Sequence, residues 1–148
     1  MFFSIVIINM DHLAILDKNG GWLEKILSGE KSIESRWYKT RRAPYGLIKP
    51  KDIIYFKKSG MKVTAKAEVK HVLTFTQLDE KRVKFILKNY AKSICIPQVY
   101  DPKYLKYNYV ILIFLKNPCK IKPFIINKKG YGMSTAWISL KNIDAIQI

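Results

Sequence analysis

Apolar and polar positions change period several times along this chain, and each change marks an element. His12-Leu13-Ala14-Ile15-Leu16-Asp17 is a nearly unbroken apolar run closed by Asn19-Gly20-Gly21, which predicts a buried strand ended by a turn. From Trp22 to Ser28 the residues Trp22, Leu23, Ile26 and Leu27 recur at helical spacing, predicting a short first helix with Trp22 in the core. Asp52 to Lys58 is rich in Ile, Tyr and Phe without clean alternation, as in a strand covered on both faces. After Ser59-Gly60 the alternation becomes strict. Val63, Ala65, Ala67 and Val69 take one face, and Lys62, Thr64, Lys66, Glu68 and Lys70 the other, so the two segments predict a hairpin.

A second helix is predicted over 77–92. Thr76-Gln77-Leu78-Asp79 supplies its start signal, and Val83, Ile86, Leu87, Tyr90 and Ile94 its apolar face. Pro97 to Asn108 has no period and reads as a connection. Tyr109 to Leu115 is continuously apolar and predicts a central strand, stopped by Pro118. Lys120 to Ile126 then reads as an edge strand and Asn127 to Gly132 as a tight basic loop. Ile143 to Ile148 is expected to rejoin the sheet.

Charge alters what this pattern implies. In 148 residues there are 27 Lys and Arg against 11 Asp and Glu, a formal net charge of +16, well beyond what solubility asks of a small domain. A polyanionic partner follows, and nucleic acid fits better than a membrane, because the basic residues are dispersed over loops and strands instead of forming an amphipathic helix. The apolar content of 49% is ample for one core, so a single domain over 1–148 is expected. Met1 to Asn9 is apolar but lacks a basic leader and is too short to span a bilayer. It reads as an extension outside the core, with Met10 as an alternative start. Cys95 and Cys119 lie in no C-x-x-C or Cys/His cluster and read as free thiols of a cytoplasmic protein. With His12 and His71 isolated, no metal site and no cofactor are expected.

The most informative stretch is Ile26 to Trp37. A helix that ends on a left-handed glycine at Gly29 turns the chain abruptly, so Lys31, Glu34 and Arg36 leave the helix axis together and can converge on one cleft. The alternative is a solvated surface turn decorated with charge. Downstream, Trp37-Tyr38-Lys39-Thr40-Arg41-Arg42-Ala43-Pro44-Tyr45 interleaves cations with aromatics. Arg41 and Arg42 suit phosphates there, and Trp37 suits an unpaired base, unless Trp37 folds inward.

Gly29-x-Lys31-x-x-Glu34-x-Arg36 resembles the G-x-K-x-x-E-x-R signature of ASCH domains, relatives of the PUA RNA-binding fold. Asp52-Ile53-Ile54-Tyr55-Phe56 falls where that family has its G-D-x-I-x-F strand, with Lys51 in place of the glycine, and Val63 to Val72 matches its next long strand. The elements and the resemblance together predict an α+β fold, a small mixed PUA-like β-barrel of about five or six strands with two or more flanking helices.

The resemblance implies RNA or a nucleotide as partner. Lys31 would then neutralise a phosphate or base oxygen, Arg36 would offer a planar fork, and Glu34 would accept from an exocyclic amine, with Ser32 beside them and Trp37 stacking. A late loop bordering the site would contribute Lys129, Tyr131 and Trp137. The resemblance also implies an alternative, since some small ASCH proteins are amidohydrolases of acetylated cytidine and others resemble ribonucleases. Lys31 and Glu34 would be the catalytic pair in that case. The amidohydrolases place threonine three residues after the lysine, however, and this chain places Glu34 there, where only a base acting on water is chemically reasonable.

Overall fold

The computed structural model describes residues 8–148, so the predicted extension at Met1 to Asn9 lies almost wholly outside the described residues. Six strands and two α-helices follow in the order β1 (Asp11–Leu16), α1 (Trp22–Ser28), β2 (Ile33–Tyr38), β3 (Ile53–Lys58), β4 (Val63–Phe75), α2 (Glu80–Ile94), β5 (Tyr109–Phe124) and β6 (Trp137–Leu140). They form one mixed sheet in the order β2-β5-β4-β3-β1-β6. Only β1 and β3 run parallel, with Asp11 opposite Ile53 and Leu16 opposite Lys58, while the other neighbours are antiparallel. The architecture is α+β, a curled half-barrel with two helices.

The curl comes from β4 and β5, whose pairing shifts register three times; each shift inserts extra backbone on one strand and bends the ribbon. On the concave face Ala65, Ala67 and Val69 of β4 meet Tyr109, Ile111, Ile113 and Leu115 of β5, and α1 closes over them with Leu23 and Ile26. On the convex face Val110 and Leu112 of β5 pack under Ile86 and Ile94 of α2. This two-sided burial is why Tyr109 to Leu115 carries no alternation. Opposite, Leu13, Val63 and Ile138 are covered by Ile143 and Ile146 from the chain end.

Four local expectations are corrected. Pro118 does not stop β5, which runs on to Phe124. Asn117 beside it takes φ 53° at one of the register shifts, where the ladder is already interrupted and a missing N–H costs little. The second helix is capped by Asp79, whose carboxylate accepts from Arg82 N at 2.8 Å, and not by Thr76. Gln77 at φ 51° cannot lie in a helix. Finally, Ile143–Ala145 forms a 3-10 turn, and the end of the chain rejoins the sheet only through a bridge between Ile126 and Gln147.

Lys51, standing where the resembled motif has glycine, has φ 76°, and its N–H donates to Val69 O at 2.8 Å. The glycine of the motif suits this left-handed geometry, which costs a side-chain-bearing residue free energy.

Candidate nucleotide-binding cleft

Gly29 ends α1 at φ 83°, its N–H returning to Ile26 O at 3.1 Å, and Lys31 N donates back to Lys25 O at 3.0 Å. This turn drops Lys31 against the foot of α2 and starts β2 immediately. Glu34 and Arg36 alternate with Ser35 along β2 and so share one face of the sheet, where the Arg36 guanidinium reaches Ala136 O beside the end of β1. The result is a cleft of ≈ 360 Å³ whose walls include Trp22, Lys31, Glu34, Arg36, Trp37 and Ala136. Ile15, Leu16, Asp17, Ser35, Tyr38, Ile94, Ile96 and Tyr107 complete it.

The three signature side chains are buried to different ends. Lys31 keeps 4% of its surface, and its Nζ donates to Ile94 O at 2.8 Å and Ile33 O at 3.1 Å. It thereby satisfies an orphan carbonyl at the C-terminus of α2 and ties that helix to β2. Its amine also lies 5.3 Å from the centre of the Trp22 ring, so Trp22 is both core and cleft wall. Burial pulls the Lys31 pKa down from its ordinary value, and the Glu34 carboxylate 3.8 Å away pulls it partly back. With two of its three protons given to backbone, Lys31 is mainly a structural cation.

Glu34 and Arg36 are less well served. Glu34 Oε1 accepts from Ser35 N at 2.9 Å, but Oε2 is buried with no hydrogen-bond partner among the described residues. Arg36 Nη2 stands 3.7 Å from that oxygen, beyond hydrogen-bond range. Arg36 Nε is likewise buried and unpartnered. The guanidinium is otherwise held by a 3.4 Å contact to Ala136 O and by the face of Trp137, 5.0 Å from its centre. Burial raises the Tyr38 pKa on the same wall, opposed by Arg36.

The remaining expected residues divide. Trp37 borders the cleft, with its ring against Tyr104 at 4.6 Å and its Nε1 donating to Ser35 Oγ at 3.1 Å. Trp137 is buried, and it supports Arg36 rather than a ligand. Ser32 does not line the cleft, whereas Ser35 does. Arg41 and Arg42 are exposed, stacked over Tyr45 and Tyr38 at 4.9 and 5.1 Å. Lys129 and Tyr131 are exposed too but do not reach the cleft. Their loop closes on itself, with Thr135 Oγ1 donating to Tyr131 O and Lys128 Nζ to Thr135 O at 3.0 Å, and only Ala136 at its end touches the site. Among the described residues no His, Cys, Asp or Glu group is arranged to hold a metal ion, and no helix is long and apolar enough to cross a membrane.

A second buried polar cluster has no counterpart in the sequence reading. His12 and Asp52, both at 0% exposure, are joined by a 2.8 Å bond from Nε2 to Oδ2. Asp52 also accepts from Met10 N at 3.0 Å, from Lys49 N at 3.1 Å and from Lys49 Nζ at 2.9 Å. With Nε2–H given to Asp52, His12 Nδ1 is left to accept from Ser139 Oγ at 2.8 Å and Trp137 Nε1 at 3.2 Å. Burial outweighs Asp52 and lowers the His12 pKa. Burial would raise that of Asp52, but the bonds from His12, Met10 and Lys49 hold it below its ordinary value. The alternation of β1 offered no signal for this pair, since His12 and Asp52 meet only when β1 and β3 lie side by side.

The chain is thus an α+β half-barrel protein with a lysine, a carboxylate and an arginine gathered where its first helix hands over to the edge strand β2. The chain belongs to the ASCH domain family, which matches residues 20–118, and that family lies within the PUA-like superfamily. The fold recurs in the crystal structure of ASCH from Zymomonas mobilis, at TM-score 0.61 and 16% identity over 88% of this chain and 87% of that one. Two single-substitution variants of the Zymomonas mobilis protein align at TM-scores 0.63 and 0.62 with 16% and 18% identity, over 91% of this chain in each case and 93% and 91% of theirs. These likenesses establish the fold alone. No curated protein matches the chain in sequence.

Proposed function

We propose that the cleft binds RNA or a nucleotide and reads an amine-bearing base. The observation that carries this reading is the unmet pair on its wall, an acceptor at Glu34 Oε2 and a donor at Arg36 Nε. A buried polar atom left without a partner costs about 1–3 kcal/mol, so the site is poised for a ligand that supplies both. Cytosine and adenine each place an exocyclic amine next to a ring-nitrogen acceptor. A carboxylate accepting from the cytosine amine is an established mode of base recognition. Both orphan atoms lie beneath the cleft surface, so a base engages them after a side-chain rotation. Arg36 is the natural mover, being held by one long contact to Ala136 O, a loose ion pair with Glu34 and an aromatic face. The aromatic walls of Trp37 and Tyr107 suit stacking, and Arg41 and Arg42 beyond the end of β2 suit phosphates.

The alternative of hydrolysis finds less support. Lys31 Nζ is already bonded to two carbonyls, and no hydroxyl nucleophile sits three residues after it. Fluorescence anisotropy with labelled oligocytidylate and oligouridylate over a salt series tests the reading. Binding at micromolar concentration or tighter is expected, stronger for oligocytidylate and weakening steeply with salt as counterions are released. Absence of binding at low salt would overturn it, and cleavage of either oligomer, or acetate release from an acetylated cytidine, would favour the hydrolase.

A further inference from the structure

A second concavity lies where the end of β4 meets the first turns of α2, with a volume of ≈ 670 Å³. Phe75 and Phe85 line it together with Thr74, Thr76, Lys81 and Arg82. Its one carboxylate, Asp79, is already engaged, accepting from Arg82 N at 2.8 Å. Phe75 and Tyr90 pack against the Phe85 ring, with centres 6.1 and 6.5 Å away, yet Phe85 remains 51% exposed. The ring is held in place with half of its surface free, which is the form of a stacking platform.

Cations surround this platform in excess. Lys81, Phe85, Lys88 and Lys92 follow one another at helical spacing and form one exposed stripe along α2. Lys81, Lys88 and Lys92 have no carboxylate partner among the described residues, and Glu80 is taken by Lys84 at 2.9 Å. The helix also joins two sites, since Lys81, Arg82 and Phe85 in its first turns border the groove and Ile94 at its end lines the charged cleft. Its 15 residues span about 22 Å, within reach of a strand of about four nucleotides, at the low end of single-strand site sizes.

We propose that α2 is a track for single-stranded RNA: one base stacks on Phe85, the phosphates follow Lys81, Lys88 and Lys92, and the strand enters the cleft past Ile94. This deepens the reading of the cleft and rests on it, because the ligand becomes an oligonucleotide held at two points instead of a lone nucleotide. Chemistry separates RNA from other polyanions here. Acidic side chains would answer the cations but offer no flat face to the phenyl ring, and a membrane surface would need a broad apolar face where α2 presents one ring between lysines.

Calorimetric titration of the full chain with a cytidine dinucleotide and a cytidine octanucleotide tests it. The octanucleotide is expected to bind at least about tenfold more tightly, since only it reaches both points. Phe85→Ala should weaken the octanucleotide by about tenfold and leave the dinucleotide unchanged. The joint variant Lys88→Gln and Lys92→Gln alters exposed positions only and serves if Phe85→Ala fails to fold; it should weaken the octanucleotide and reduce its salt dependence. Equal affinity for the two lengths, or octanucleotide binding that neither variant weakens, would overturn the track while leaving the cleft reading in place. Failure of the parent to bind either oligomer would overturn both. Self-association of the parent that Phe85→Ala abolishes, measured by light scattering, would overturn the track in favour of a second copy of the chain.

Discussion

Two buried polar clusters lie on this half-barrel, and they are finished to different degrees. Around Asp52 every near group has a partner: His12, Met10 N, Lys49 N and Lys49 Nζ all donate to its two oxygens. Around Glu34 one oxygen is bonded and the other is not, and Arg36 Nε beside it is also alone. Both clusters contain a carboxylate and cations in low-dielectric surroundings. The complete one locks β1 to the loop before β3 and leaves nothing for a ligand. The incomplete one faces a cleft and holds donor and acceptor capacity in reserve, which is what recognition requires.

Removing the completed carboxylate separates the two most sharply. Asp52→Ala strands a buried histidine and the backbone N–H groups of Met10 and Lys49 and should cost about 3–5 kcal/mol in urea unfolding. Glu34→Gln, by contrast, removes an ill-satisfied charge and should change stability by less than about 1 kcal/mol. Equal losses would mean that the clusters are alike.

Acid titration sharpens the comparison at smaller amplitude. His12 is held below 6.5 in the folded chain, so unfolding takes up a proton as pH falls through the window beneath that value, and stability drops there. Asp52, held below 3.8, contributes stability that is lost only further down, as pH falls through its folded pKa. Thermal melts from pH 6.5 downward should decline for the parent, whereas His12→Gln should start lower and stay flat in the first window. The smallest effect is expected at Lys51, where Lys51→Gly relieves the φ of 76° and should stabilise by about 1 kcal/mol, measured as a rise in melting temperature.

What could be read from the chain, and what could not, follows physical lines. The bounds of α1, the inward set of β4 and the two-sided burial of β5 were legible because each rests on local period and turn chemistry. The gathering of Lys31, Glu34 and Arg36 was legible for the same reason, since Gly29 acts within its own turn. Pro118 misled because a proline rule presumes a regular ladder, and the register shift that accommodates it depends on how β4 pairs with β5. The His12–Asp52 pair, 40 residues apart in sequence, appears only once two strands are parallel neighbours. Lys129 and Tyr131 were drawn to the cleft by resemblance alone, and the short turn of their own loop keeps them away.

The most direct test of the central claim is calorimetric titration of cytidine and uridine monophosphates into the parent and Glu34→Gln. The account predicts that the parent prefers cytidine monophosphate and that the variant loses this preference by about 1–3 kcal/mol while keeping its melting temperature within a few degrees. A parent that binds neither nucleotide, or a variant that keeps the parent's preference, would contradict it.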